Sequence, residues 1–340
     1  MVQKNKTILY ASILLALAII SYFTVFNKKT STISESEKAF AVEDTAGISK
    51  IFMADKGGKQ ITLEKKGRTW YVNGKFEARR DGVSLLLKTI AQLKATRPVS
   101  KAAHDNVVKE LATRHTKVEI YDMEGERIKT YFVGGTGPND RGNYMKLEEA
   151  KTPFLVRLPG FDGFLTSRFF LDLEDWRDRT VFNHYIEEIK RVEVKYSVNP
   201  DSSFVIQRNE IDTFEVTTNI PMSGNLNMKR VLGYLNQFSG MSAEVFMNDF
   251  PAKDSVIMSA PICEITVEDI NHNSNVVKIY YRPVNQRSKM QFDYEGNPLK
   301  YELDKYFALV NNGQDFALIQ HFVFGKLFIG GKFFYSQREE

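Results

Sequence analysis

The sequence predicts an α+β protein: an N-terminal single transmembrane helix followed by two tandem, repeat-related units, each a mostly antiparallel sheet with a packed amphipathic helix. Three observations predict it. Residues 7–26 form a twenty-residue run without a charge. Beyond it, short apolar/polar alternations and one-sided amphipathic stretches recur in a fixed order. The second set follows the first at offsets of 141 to 149 residues. With 340 residues, 43% hydrophobic and 26% charged, the chain can bury a sizeable core and is neither disordered nor polytopic.

The run Thr7–Phe26 is the expected transmembrane signal anchor. A helix of that length spans about 30 Å, the thickness of a hydrocarbon core. Tyr10 and Tyr22 lie near its two ends, where aromatic rings suit an interface. A cleaved signal peptide would need small residues just past the run, and Thr24-Val25-Phe26-Asn27-Lys28-Lys29 does not supply them. The expected layout is residues 1–6 as a cytoplasmic tail, 7–26 as the anchor, and 27–44 as a tether. Residues 45–183 then form the first unit and 184–340 the second. On this reading the chain sits in the inner (cytoplasmic) membrane with residues 27–340 periplasmic, since a six-residue N-terminus most simply stays inside. Five lysines and two glutamates fall within residues 1–38, so the rest of the chain carries +1 of the overall +4. No nucleic-acid partner is expected from so even a balance.

The first unit opens with Ile48-x-x-Ile51, then alternating strands at Gln60–Glu64 and Arg68–Val72 around Lys65-Lys66-Gly67. Val83, Leu86, Leu87, Ile90 and Leu93 then share one helical face, with Asp81 as the expected N-cap. The second unit repeats this with Ile189-x-x-Val192, strands at Phe204–Arg208 and Thr213–Val216, and a helix bearing Met228, Val231, Leu232, Leu235 and Phe238. Hairpins Lys117–Val133 and Glu264–Tyr281 correspond, and Pro153–Leu158 is expected to answer Pro298–Leu303. A further helix is expected over Ser100–His115, with a weaker counterpart over Asn248–Ser259 broken by Pro251.

Several segments in order carry a family resemblance. They are Phe40–Met53 (FAVEDTAGISKIFM), Arg68, Trp70-Tyr71-Val72-Asn73-Gly74, Ala78-Arg79-Arg80-Asp81-Gly82-Val83, Val133-Gly134-Gly135, Pro159-Gly160-Phe161 and Leu173–Phe182 (LEDWRDRTVF). Together they resemble the DUF4340 family in its Bacteroidetes form, membrane-anchored and without an established role. Some relatives are similar to proteins encoded beside auxiliary components of ABC transporters. The resemblance therefore implies an accessory role in the envelope and another envelope protein as partner. It carries no catalytic residues.

The residues themselves show no catalytic signature. None of His104, His115, His184, His272 and His321 falls in a metal-binding spacing, and neither a G-x-S-x-G elbow nor an S-x-x-K pair occurs. The single cysteine, Cys263, lies in an alternating strand as a small buried hydrophobe. Gly134–Asn143 lacks the Lys-Ser/Thr of a phosphate loop and reads as a hairpin connection. Asp172, Glu174, Asp175 and Asp178 could do acid/base or calcium work, but Arg177 and Arg179 between them argue for a salt-bridged connector. Arg79-Arg80 is either an anion contact or a solvated pair.

The candidate partner surface is the aromatic C-terminal stretch: Phe322, Phe324, Phe328, Phe333, Phe334 and Tyr335. The expected function is a non-catalytic binding or scaffolding protein of the envelope, without cofactor or metal. The alternative is an envelope hydrolase or ligand-binding enzyme with a site at the junction of the repeats.

Overall fold

The computed structural model describes residues 13–22, 34–209 and 213–336. It is mainly antiparallel sheet with a few helices. This corrects the expected fold class at the N-terminus. The described part of the uncharged run is a helix over residues 13–22. Among the described residues no helix is long and apolar enough to cross a membrane. Residues 1–12 and 23–33, with the rest of the expected anchor, lie outside the described residues. The expected transmembrane anchor is therefore not supported.

Two compact units divide the chain, Met1–Asp172 and Leu173–Glu340. In the first, the strands are β1 (Ile48–Asp55), β2 (Gln60–Lys66), β3 (Thr69–Val72), β4 (Phe76–Glu77), β5 (Lys94–Pro98), β6 (Thr116–Asp122), β7 (Arg127–Thr136), β8 (Asn143–Leu147) and β9 (Phe154–Arg157). They form one antiparallel sheet in the order β4-β3-β2-β1-β6-β7-β8-β9-β5. The second unit contains β10 (Thr180–Phe182), β11 (Ile189–Tyr196), β12 (Phe204–Arg208), β13 (Phe214–Thr218), β14 (Asn225–Leu226), β15 (Met241–Ser242) and β16 (Val245–Phe246). It continues with β17 (Cys263–Asp269), β18 (Ser274–Pro283), β19 (Tyr301–Val310), β20 (Asp315–Gln320) and β21 (Tyr335–Ser336). Its main sheet runs β13-β12-β11-β17-β18-β19-β20-β16.

Set side by side, β3-β2-β1-β6-β7-β8-β9-β5 and β13-β12-β11-β17-β18-β19-β20-β16 are one topology. Even an irregularity recurs. The ladder shifts register between Ile48 and Lys50 in β1, and between Ile189 and Arg191 in β11. The cause is visible in the side chains. Ile48, Ile51 and Met53 are fully buried in β1, and Ile189, Val192 and Val194 in β11. The three-residue step before the two-residue step requires a bulge to keep all three on the core face. Pro298–Leu303 is not the counterpart of β9, however. That position belongs to β20, and residues 284–300 form an insertion that shifts the offset.

Helix Arg80–Gln92 buries Val83, Leu86 and Ile90, and helix Met228–Leu235 buries Val231, Tyr234 and Leu235. Each such side chain contributes about 1.5–3 kcal/mol of apolar burial. The N-caps differ from expectation. Asp81 lies inside its helix and pairs with the Arg79 guanidinium at 2.7 Å, whereas Asn227 caps the second helix by accepting from the Arg230 N–H at 3.2 Å. Phe40 is fully buried against Tyr131 and Phe154, with ring centroids 6.3 and 6.2 Å away, so the segment before β1 is core and not tether from there on.

Helix Lys101–Thr113 packs on β7 through two glycines. A Cβ on Gly134 would lie 2.6 Å from Leu111 Cδ2 and 3.0 Å from the Tyr144 carbonyl; one on Gly135 would lie 2.3 Å from Glu110 Oε1. Gly134→Val is therefore expected to destabilise the first unit by about 1–3 kcal/mol, measured as a lower urea midpoint. A neutral effect would show that the helix does not sit this close.

Candidate functional site

The carboxylates between the repeats close into a clamp within the second unit. Arg177, 6% exposed, donates from Nη1 and Nη2 to the two Asp315 oxygens at 2.9 and 2.7 Å, and from Nη1 to Glu174 at 3.1 Å. Its guanidinium lies 4.6 Å from the Phe246 ring centroid. Asn248 and Asn311 each donate to Asp315 at 2.8 Å, and the Phe316 N–H donates to Asn248 Oδ1. Burial alone would raise the Asp315 carboxyl; the hydrogen bonds from Arg177, Asn311 and Asn248 outweigh it and hold the group below the usual range. Arg179 donates to Asp175 at 3.1 Å and to the Glu244 carbonyl, and Asp178 accepts from the Thr180 N–H and hydroxyl. Asp172 belongs elsewhere, pairing with Lys59 at 2.6 Å in the first unit. The carboxylates of the cluster are engaged by its own arginines, asparagines and Thr180, which is the arrangement of a fastening and not of an open acid/base pair.

The other sequence candidates are equally occupied. Asn143 is fully buried: its Nδ2 donates to the Gly134 carbonyl at 2.8 Å and its Oδ1 accepts from the Leu165 N–H, so the glycine-rich stretch is a stitched connection between β7 and β8. Cys263 is fully buried in β17, and burial pushes its thiol up to about 12. Burial lowers His184, with Glu188 and Asp269 opposing. His115 sits edge-on to Phe132 at 4.8 Å, His272 lies 2.9 Å from Glu268, and His321 lies 3.0 Å from the Tyr306 hydroxyl. Among the described residues no group of three or more His, Cys, Asp or Glu could hold a metal ion.

The aromatic C-terminal stretch is divided. Phe324 and Phe334 are fully buried, Phe334 against Phe204 and Tyr234 at 5.0 and 5.5 Å. Phe328 is half-buried against Tyr306 at 5.2 Å, and half-buried Tyr335 donates its hydroxyl to the Val216 carbonyl at 2.9 Å. Phe333, 44% exposed, lies under Arg230. Phe322 projects into solvent at 92%. The stretch is built of short turns, α-helical at His321–Phe324 and 3₁₀ at Gly325–Leu327 and Gly331–Phe334, which direct neighbouring rings to opposite sides.

A different surface went unread in the sequence. Between β18 and β19, residues 284–300 form a braced arm of seventeen residues, where the corresponding β7–β8 connection has six. Its base is held by Glu302, 3% exposed. This carboxylate accepts from Arg282 at 2.7 Å, from Asn285 at 3.2 Å and from the Ser288 hydroxyl. The Leu299 N–H donates to the Gln291 carbonyl at 2.8 Å, and Phe292 bridges to Pro298. At the tip Asp293 accepts from the N–H groups of Glu295 and Asn297 at 2.9 and 2.8 Å. The arm displays Met290, Phe292 and Tyr294, which are 39, 57 and 100% exposed. Its sequence signal is the turn tetrad Asp293-Tyr294-Glu295-Gly296, preceded by Phe292 and followed by Asn297-Pro298.

A family model described as a domain of unknown function, DUF4340, matches residues 70–256. The chain belongs to the DUF4340 family. No curated protein and no solved structure matches it. In this DUF4340 protein the matched span runs from β3 to helix Lys253–Ile257, so the arm lies beyond it.

Four outcomes follow for the DUF4340 chain. Removing one partner of the clamp, by Arg177→Met or Asp315→Asn, is expected to cost about 3–5 kcal/mol, with the double variant less than additive. The folded-state carboxyl of Asp315 is depressed, so its contribution is present above the unfolded value of about 4 and is lost as pH falls through the folded value. Urea melts of wild type and Asp315→Asn should therefore converge on acidification below about pH 4. Cys263 should react with a thiol reagent only at the rate of unfolding; fast labelling in native buffer would contradict its burial. Glu302→Ala should speed amide exchange over residues 285–300 without altering β11 and β17.

Proposed function

We propose that this protein is a non-catalytic binding or scaffolding module whose recognition element is the arm of residues 284–300. The observation that carries the reading is Tyr294, wholly exposed at the tip of a hairpin whose base is braced by a buried carboxylate. A soluble surface does not gain from displaying Tyr294 and Phe292 together, whereas a partner's pocket does. Bracing supports affinity, because a pre-ordered loop loses little freedom on docking. A connection of this length beyond the shared topology also has the character of a functional loop. The closed state of the Arg177 cluster and the raised Cys263 thiol support a binding role over a catalytic one.

The partner is a protein with an apolar pocket rimmed by polar groups; an envelope protein accords with the resemblance. We also read the chain as the Bacteroidetes form of its family, from the order of its motifs.

The test is quantitative co-purification of tagged wild type, Phe292→Ser, Tyr294→Ser and Phe322→Ser, each confirmed folded by thermal melt. A stoichiometric partner should be retained by wild type and Phe322→Ser and lost from both arm variants, at a cost of about 2 kcal/mol or more each. Retention by the arm variants would overturn the arm as the recognition element.

A further inference from the structure

A second site lies in the first unit, independent of the arm. Helix Arg80–Gln92 and the strand pair β3–β4 enclose a cleft of about 420 Å³, within the range of small-molecule sites. Its apolar wall includes Trp70 and Leu87, both half-buried. Three cations line it, Arg68, Arg80 and Lys88, against one acid, Glu77. Glu77 approaches Arg80 at 3.8 Å, and Arg80 is 90% exposed, so that contact neutralises little. Arg68 and Lys88 have no ion-pair partner among the described residues.

The contrast is with the clamp of the second unit. The clamp arginines of the second unit are satisfied by carboxylates, and beyond residue 38 the chain is almost neutral. Here three cations surround a concave surface holding a tryptophan. Guanidinium groups take planar oxyanions in a bidentate fork, and an indole offers a flat apolar face. The bounded volume suits a compact molecule better than a polyanionic strand, which would need a continuous basic track.

We propose that this cleft binds small organic anions: a carboxylate, sulfonate or phosphate group carried on a flat apolar body. The oxyanion engages Arg68, Arg80 and Lys88 while the body covers Trp70 and Leu87. Segments carrying the family resemblance, Arg68, Trp70 and Ala78–Val83, converge on this one cleft.

The chain contains two tryptophans, and the second, Trp176, is fully buried in the other unit. Collisional quenching of tryptophan emission by small solutes therefore reports Trp70. Full-length protein is titrated with 8-anilinonaphthalene-1-sulfonate and, separately, with the uncharged N-phenyl-1-naphthylamine. The anionic probe should quench Trp70 saturably with one site. The neutral probe should bind at least about ten-fold more weakly, as expected for loss of charge-assisted contacts. Benzoate and phenyl phosphate should compete, and the stronger competitor identifies the preferred oxyanion. The double variant Arg68→Ala/Arg80→Ala, changed only at exposed side chains, should weaken the anionic probe by at least about ten-fold, and Trp70→Phe should remove the iodide-quenchable part of the emission. A measurement on wild type needs no variant: iodide should quench Trp70 more than caesium, after normalisation to free tryptophan. Equal affinity for the two probes, an unchanged double variant, iodide quenching that survives Trp70→Phe, or caesium matching iodide would each overturn the proposal.

Discussion

A guanidinium taken out of water must be answered by a carboxylate at close range, and Arg177 is answered by Asp315, 138 residues further along the chain. That requirement decides where the second unit begins. Leu173–Trp176 and β10 would read as linker by position. The fork to Asp315, the stacking on Phe246 and the pairing of Thr180 with Ser242 make them part of the second unit instead. The divide therefore falls after Asp172, ahead of residue 183 where apolar periodicity resumes. Asn248 and Asn311 complete the arrangement by each donating to one oxygen of Asp315.

Around that fastening, each unit solves the same packing problem in the same way. A central strand with a three-then-two apolar step needs a bulge, and both β1 and β11 have one. A one-sided helix covers the buried face in each. What distinguishes the units lies where the common plan is elaborated. The first gains the longer second helix seated on Gly134 and Gly135, and the cationic cleft beside Trp70. The second gains the arm, with its own buried anchor in Glu302. Shared topology thus accounts for stability, and departures from it are the natural places to look for recognition.

Much of the sheet architecture was legible because alternation reports burial directly. Ile51 and Met53, Val192 and Val194, and Cys263 and Ile265 all face the core as their spacing indicates. The arm and the cleft were not. Residues 284–300 are rich in turn formers and polar groups, which on a linear reading describe an ordinary loop; that Glu302 braces them depends on Arg282 and Ser288 converging on it in space. The C-terminal phenylalanines misled for the opposite reason. Composition counts rings without their directions, and turns send Phe324 and Phe334 into the core while Phe322 faces outward. The cleft cations Arg68, Arg80 and Lys88 are spread over twenty-one positions and share no motif.

By itself the sequence determined the local periodicities, the duplicated plan and the family, because each of these is read from the identity and spacing of residues along the chain. Only the tertiary structure decided which charges are paired, which aromatics are exposed and where one unit stops. Those are properties of distance and solvent access. An arginine has the same letter whether it grips Asp315 in the core or lines an open cleft beside Trp70, and its chemistry is set by which of the two the fold imposes.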